Sequence, residues 1–174
     1  DKRTKKFERF FHNDNITTSL SHSNISATLR ERSGTLWITT FGGGINKVNR
    51  TYYPFKQYFI HSWRETKRFS SAALMHIFER SDSMLWISTP KGLINYDPRL
   101  ERFKDYIINR NIRLAREDRF GNLWLALNIS SGRGLEKIDK SGRISVITDS
   151  LGNRLDFLVN KLIEGNGNII WVCT

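Results

Sequence analysis

The chain has one cysteine, Cys173, which excludes an intramolecular disulfide framework and any multi-cysteine metal knuckle. Its four histidines, His12, His22, His61 and His76, are not spaced as metal ligands, so no metal and no cofactor are expected. No stretch approaches the roughly 20 consecutive apolar residues that cross a bilayer as a helix, and the charged start lacks the layout of a signal peptide. A membrane is therefore expected only through segments outside this chain. The run Gly42-Gly43-Gly44 is not followed by a Lys-Ser/Thr pair, so it reads as a turn and not as a phosphate cradle.

What is present is a globular composition with an excess of positive charge. The 174 residues are 39% hydrophobic, enough to build a core of about one domain. Lysine and arginine number 28 against 17 acidic residues, a formal charge of +11, which attracts polyanions in general. Five of the cations, Lys2, Arg3, Lys5, Lys6 and Arg9, fall in the first nine residues and read as a solvated arm. The cations form no stripe with interleaved aromatics, so nucleic acid is not an expected partner.

One motif recurs four times: Leu36-Trp37-Ile38-Thr39, Leu85-Trp86-Ile87-Ser88, Leu123-Trp124-Leu125-Ala126 and Ile170-Trp171-Val172-Cys173. The tryptophans are 49, 38 and 47 residues apart, around the roughly 40–50 residues of a four-stranded propeller blade. An apolar stretch ending in acidic and turn residues precedes each motif, which predicts a hairpin. A strand opening on glycine follows the first three motifs, at Gly44, Gly92 and Gly134, and a more polar fourth strand comes after it.

Four strands per repeat with no helical period predict an all-β fold, a β-propeller fragment of four-stranded antiparallel blades. Residues 6–11 read as the outer strand of a preceding blade, 24–59, 73–107 and 111–147 as three complete blades, and 157–174 as the first two strands of an incomplete one. Trp37, Trp86, Trp124 and Trp171 are assigned to packing between blades, because burying an indole contributes on the order of a few kcal/mol. Glu31, Glu79, Asp118 and Glu164 read as one recurring structural position, since a catalytic pair would break the repeat and not follow it. An open arc of blades leaves strand edges and an apolar face uncovered, so the expected partners include the remaining blades of a ring or a second copy of the chain.

The composite pattern resembles the two-component regulator propeller repeat. Its best copy runs from Asn24-Ile25-Ser26 through Leu36-Trp37-Ile38-Thr39-Thr40 and Gly42-Gly43-Gly44 to Ile45-Asn46-Lys47. Thr39, Ser88 and Ala126 stand where glycine is common in such repeats, a change of one small residue for another. The resemblance implies the periplasmic sensor region of Bacteroides-type hybrid two-component histidine kinase/response regulator proteins, and with it glycan sensing and a kinase outside these residues.

Function in a repeat protein concentrates where one copy departs from the others. Trp63 lies outside the motif, in a long connection with Arg64, Lys67 and Arg68; Asn128 to Arg133 form an enlarged loop; Arg110 and Arg154 lie in later connections between blades. Strand alternation places these segments on one face of the disc. An aromatic plane beside guanidinium forks suits a sugar ring carrying carboxylate or sulfate, so an acidic oligosaccharide is the expected ligand of a non-catalytic segment. The alternative is a scaffold that binds a protein partner on the same face. An enzyme would need convergent acid and base residues, and none is evident.

Overall fold

The computed structural model describes residues 9–48, 55–58, 73–128, 132, 134–167 and 169–174. Within them the chain forms fourteen strands and no helix. The first blade comprises β1 (Ile25–Arg30), β2 (Leu36–Thr40), β3 (Gly44–Val48) and β4 (Phe55–Tyr58), and the second β5 (His76–Glu79), β6 (Leu85–Thr89), β7 (Gly92–Asp97) and β8 (Arg102–Ile108). The third comprises β9 (Ile112–Glu117), β10 (Leu123–Leu127), β11 (Gly134–Ile138) and β12 (Ile144–Val146); the last repeat holds β13 (Lys161–Glu164) and β14 (Ile170–Cys173). Strands pair antiparallel in chain order within each sheet. Of the outer strand expected at 6–11, residues 6–8 lie outside the described residues and 9–11 belong to no strand.

The motif strands are apolar on both sides because blades stack face to face, which removes the alternation of a half-exposed strand. Each blade has a leading face toward the preceding repeat and a trailing face toward the next. Trp37, Ile45 and Tyr58 on the trailing face of the first blade pack against Leu74, Ile77, Leu85 and Ile87 of the second. Trp86 and Leu93 meet Ile112, Leu123 and Leu125 at the next interface, and Leu114, Ala126 and Leu135 meet Val159 and Leu162 at the last. On the leading face of the first blade, Leu20 from the N-terminal segment packs on Ile38 and Phe55.

The four tryptophans do not share one environment. Trp37 is 0% exposed and Trp86 2%, whereas Trp171 is 61% exposed; Trp124 is intermediate. Trp171 occupies the trailing face of the last repeat and is not covered by another blade among the described residues.

The acidic residues also divide into two classes where one was expected. Glu79, Glu117 and Glu164 end their inner strands and pair in register with Leu85, Leu123 and Ile170. Glu31 and Asp118 lie one residue further on, in the turn, where they accept the indole N–H of Trp37 at 3.0 Å and of Trp124 at 2.9 Å. The classes differ in what they hold, since strand-end glutamates reach across to the preceding blade. Glu79 accepts the Arg32 N–H at 2.8 Å, Glu117 the Ser81 N–H at 2.7 Å, and Glu164 the Arg119 N–H at 3.0 Å. The same carboxylates bind the Arg32, Arg80 and Arg119 guanidinium groups. The second blade, the third blade and the last repeat are therefore each fastened to the repeat before by a charge-assisted contact at the rim formed by the first hairpin turns.

Candidate functional site

The opposite rim carries the connections between blades, and two of them converge with the β10–β11 loop beside β11. The connection entering the third blade supplies Arg110, two residues before β9 begins. The loop between β10 and β11 is held to that connection by the Asn128 N–H, which donates to the Asn111 carbonyl at 2.9 Å. The connection leaving the blade supplies Arg154.

Local chemistry fixes the outgoing connection. Asp149 accepts the backbone N–H groups of Leu151 and Asn153 at 2.9 and 2.8 Å, closing a tight turn whose ends meet in a bridge between Thr148 and Arg154. The Asn153 backbone and side chain, with Leu151 and Gly152, hold the Asp149 carboxyl below its ordinary pKa. Gly134 is required where this connection crosses β11. Its φ is +121°, and a Cβ there would lie 2.4 Å from the Leu155 carbonyl oxygen.

The convergence is on Glu136, whose side chain is only 5% exposed. Arg110 Nη1 donates to Glu136 Oε2, and Arg154 Nη2 lies 3.6 Å from Glu136 Oε1. Arg154 Nη2 also donates to the Gly132 carbonyl at 3.0 Å. The guanidinium groups stay partly accessible, with side-chain exposures of 34% and 43%. Two cations and one carboxylate leave an excess of one positive charge. The buried carboxylate orients both forks, each a planar array of N–H donors matched to a carboxylate or sulfate.

Glu136 itself was not singled out in the sequence. Its strand position is filled by Asn46 in the first blade and Ile94 in the second, each paired with the residue after the motif tryptophan. Asn46 is fully buried and holds the connection entering its own blade, accepting the Ser21 N–H at 2.8 Å and donating to Ser21 Oγ at 2.8 Å. Glu136 does the same to Arg110 with a charge in place of an amide. Of the other residues expected at the site, Asn128 belongs to the convergence, whereas Trp63, Arg64, Lys67, Arg68 and Arg133 lie outside the described residues.

A groove of about 900 Å³ lies elsewhere, where the N-terminal segment meets the first blade, lined in part by His12, His22, Gly43 and Phe55. Gly43 is needed there because a Cβ would come within 2.7 Å of the Ser21 carbonyl oxygen. His12 Nδ1 is 2.6 Å from the Leu20 carbonyl and Nε2 is 2.8 Å from Asp14; these partners, Leu20 first, raise the imidazole pKa. Among the described residues, no group of three His, Cys, Asp or Glu side chains could hold a metal ion.

No family model matches the sequence, and no curated protein sequence matches it. Solved structures do match. The extracellular domain of the hybrid two-component system BT4673 from B. thetaiotaomicron superposes with a TM-score of 0.70 at 18% identity, over 88% of this chain and 20% of that one. The chain shares the propeller fold of that domain. The extracellular domain of BT3049, another hybrid two-component system of the same organism, matches at 0.53 and 16% identity over 98% of this chain and 28% of that one. Virginiamycin B lyase from Staphylococcus aureus matches at 0.64 and 16% identity, over 86% of this chain and 48% of the lyase. The chain thus spans between about a fifth and somewhat over a quarter of the length of the extracellular domains and about half that of the lyase.

Proposed function

We propose that the chain is a non-catalytic sensor segment of a hybrid two-component system, part of a periplasmic propeller that detects a glycan and signals to a kinase outside these residues. The observation that carries this reading is the Arg110–Glu136–Arg154 convergence. A buried carboxylate presents two partly exposed guanidinium forks with net positive charge, suited to the carboxylate or sulfate of an acidic oligosaccharide. The fold held in common with the extracellular domains of BT4673 and BT3049 supports the sensor role. Trp63 with Arg64, Lys67, Arg68 and Arg133 would add a stacking plane and further cations to the same face.

Calorimetric titration against a panel of acidic and neutral oligosaccharides tests the proposal. Binding is expected with the acidic members, weakened about tenfold or more by Arg110→Ala or Arg154→Ala, as for loss of a charge-assisted hydrogen bond. Trp63→Ala is expected to weaken the same acidic members. Absence of heat with every sugar would favour a second reading, a scaffold for protein contacts, for which the exposed Trp171 face argues. A reaction product in the same mixtures would instead point to an enzyme, as the lyase match allows.

A further inference from the structure

The fastening between blades repeats with a fixed register, and its two ends on this chain do not match. At all three interfaces the N–H of the second turn residue, Arg32, Ser81 or Arg119, donates to the glutamate that ends the next inner strand. The four turns are built alike. Glu31, Arg80, Asp118 and Gly165 each donate a backbone N–H to the carbonyl of Thr35, Met84, Asn122 and Ile169, at 2.8 to 3.0 Å. Asn166 is therefore the fourth donor in the series. It is exposed and meets no carboxylate among the described residues.

At the other end, the place of the glutamate is taken by Arg30. The register leaves no ambiguity, since Arg30 pairs with Leu36 as Glu79 pairs with Leu85, Glu117 with Leu123 and Glu164 with Ile170. Docking the first blade of a second copy onto the last repeat would set the Arg30 cation against the Asn166 N–H, a donor against a donor. Leu20, packed on Ile38 and Phe55, further occupies that leading face.

We propose that the trailing face of the last repeat, marked by Trp171 and Ile163, receives a further blade whose inner strand ends in a glutamate, and that Arg30 bars a second copy of this chain from taking that place. The surface is continuous with the interfaces already formed, because Trp171 occupies the strand position of Trp37 and Trp86. The same apolar contact and carboxylate are what its occupant must supply.

Sedimentation velocity on the 174-residue chain tests this, using Leu20→Ser as background so that the N-terminal segment is not the obstacle. Adding Arg30→Glu supplies the missing carboxylate and is expected to tighten head-to-tail association about tenfold or more, the range of a charge-assisted hydrogen bond. Arg30→Ala, which removes the cation without supplying an acceptor, and Lys104→Glu, which changes the net charge equally at an exposed site, are expected to leave association unchanged. Trp171→Ala in the Arg30→Glu chain is expected to abolish the gain. The proposal fails if Arg30→Glu gains nothing in a chain whose circular dichroism is unaltered, or if Arg30→Ala or Lys104→Glu gains as much. It fails equally if the unaltered chain already associates through Trp171.

Discussion

The guanidinium of Arg80 lies 4.9 Å from the ring of Trp86, in the turn position where Glu31 and Asp118 accept the indole N–H of Trp37 and Trp124. The second blade has exchanged an acceptor inside the blade for a cation that reaches the next one, since Arg80 Nε donates to Glu117 at 2.9 Å. The buried Trp86 Nε1 is left with no hydrogen-bond partner among the described residues.

Arg80→Ala removes a partly buried ion pair and the cation over the ring together, leaving the Glu117 carboxylate short of a partner. Its expected cost is about 2 kcal/mol or more. Glu31→Ala removes one indole hydrogen bond near the surface and is expected to cost about 1 kcal/mol. Urea unfolding of the two variants checks the order, and an equal or larger loss for Glu31→Ala would contradict it.

The tryptophan series separates fold from face. Trp86→Ala opens a cavity between two blades and is expected to cost about 3–5 kcal/mol. Trp171→Ala truncates a largely exposed ring and is expected to cost less than about 1 kcal/mol. Thermal unfolding of both variants, followed by circular dichroism, reads the contrast.

Burial, aided by the positive charge of Arg116, lowers the pKa of His76 from its ordinary 6.5 to about 4. The folded state holds this imidazole neutral, while the unfolded chain takes up a proton below pH 6.5. Stability is therefore full above that pH and falls as the pH drops from about 6.5 to about 4, with a slope of at most about 1.4 kcal/mol per pH unit. His76→Gln is expected to remove this contribution from the pH profile of the unfolding midpoint. A profile of unchanged slope in the variant would refute the assignment.

Gly134 and Gly142 both have positive φ, +121° and +85°, but only Gly134 is crowded by backbone. Gly142→Ala is expected to cost about 1 kcal/mol, the strain of a left-handed residue. Gly134→Ala must also displace the connection that carries Arg154, and is expected to cost at least about 2 kcal/mol. Denaturant midpoints compare the two.

The all-β blade pattern was legible because packing between blades writes the same residues at the same strand position, and the indole is too large to be moved elsewhere. The acidic residues were harder to read. A strand-end glutamate and a turn carboxylate are one residue apart, and a spacing that tolerates loop variation cannot separate Glu31 from Glu79. Pairing with Leu85 does separate them, because register is a matter of backbone partners and not of sequence distance. Arg110 and Arg154 could be placed in connections on the same face as the breaks in the repeat, but their common partner could not. Glu136 comes 26 residues after Arg110 and 18 before Arg154, separations that mark nothing in the sequence; it resembles any polar residue of a third strand until the connections fold over it.

The direction of the glutamate contacts bears on how such a chain is made. Every blade is fastened by a residue that emerges after it, so during synthesis the newest blade is always the one not yet held, with its tryptophan uncovered. Growth from the N-terminus then resembles a zip whose teeth close one step behind the ribosome, and a chaperone would need to shield one face at a time.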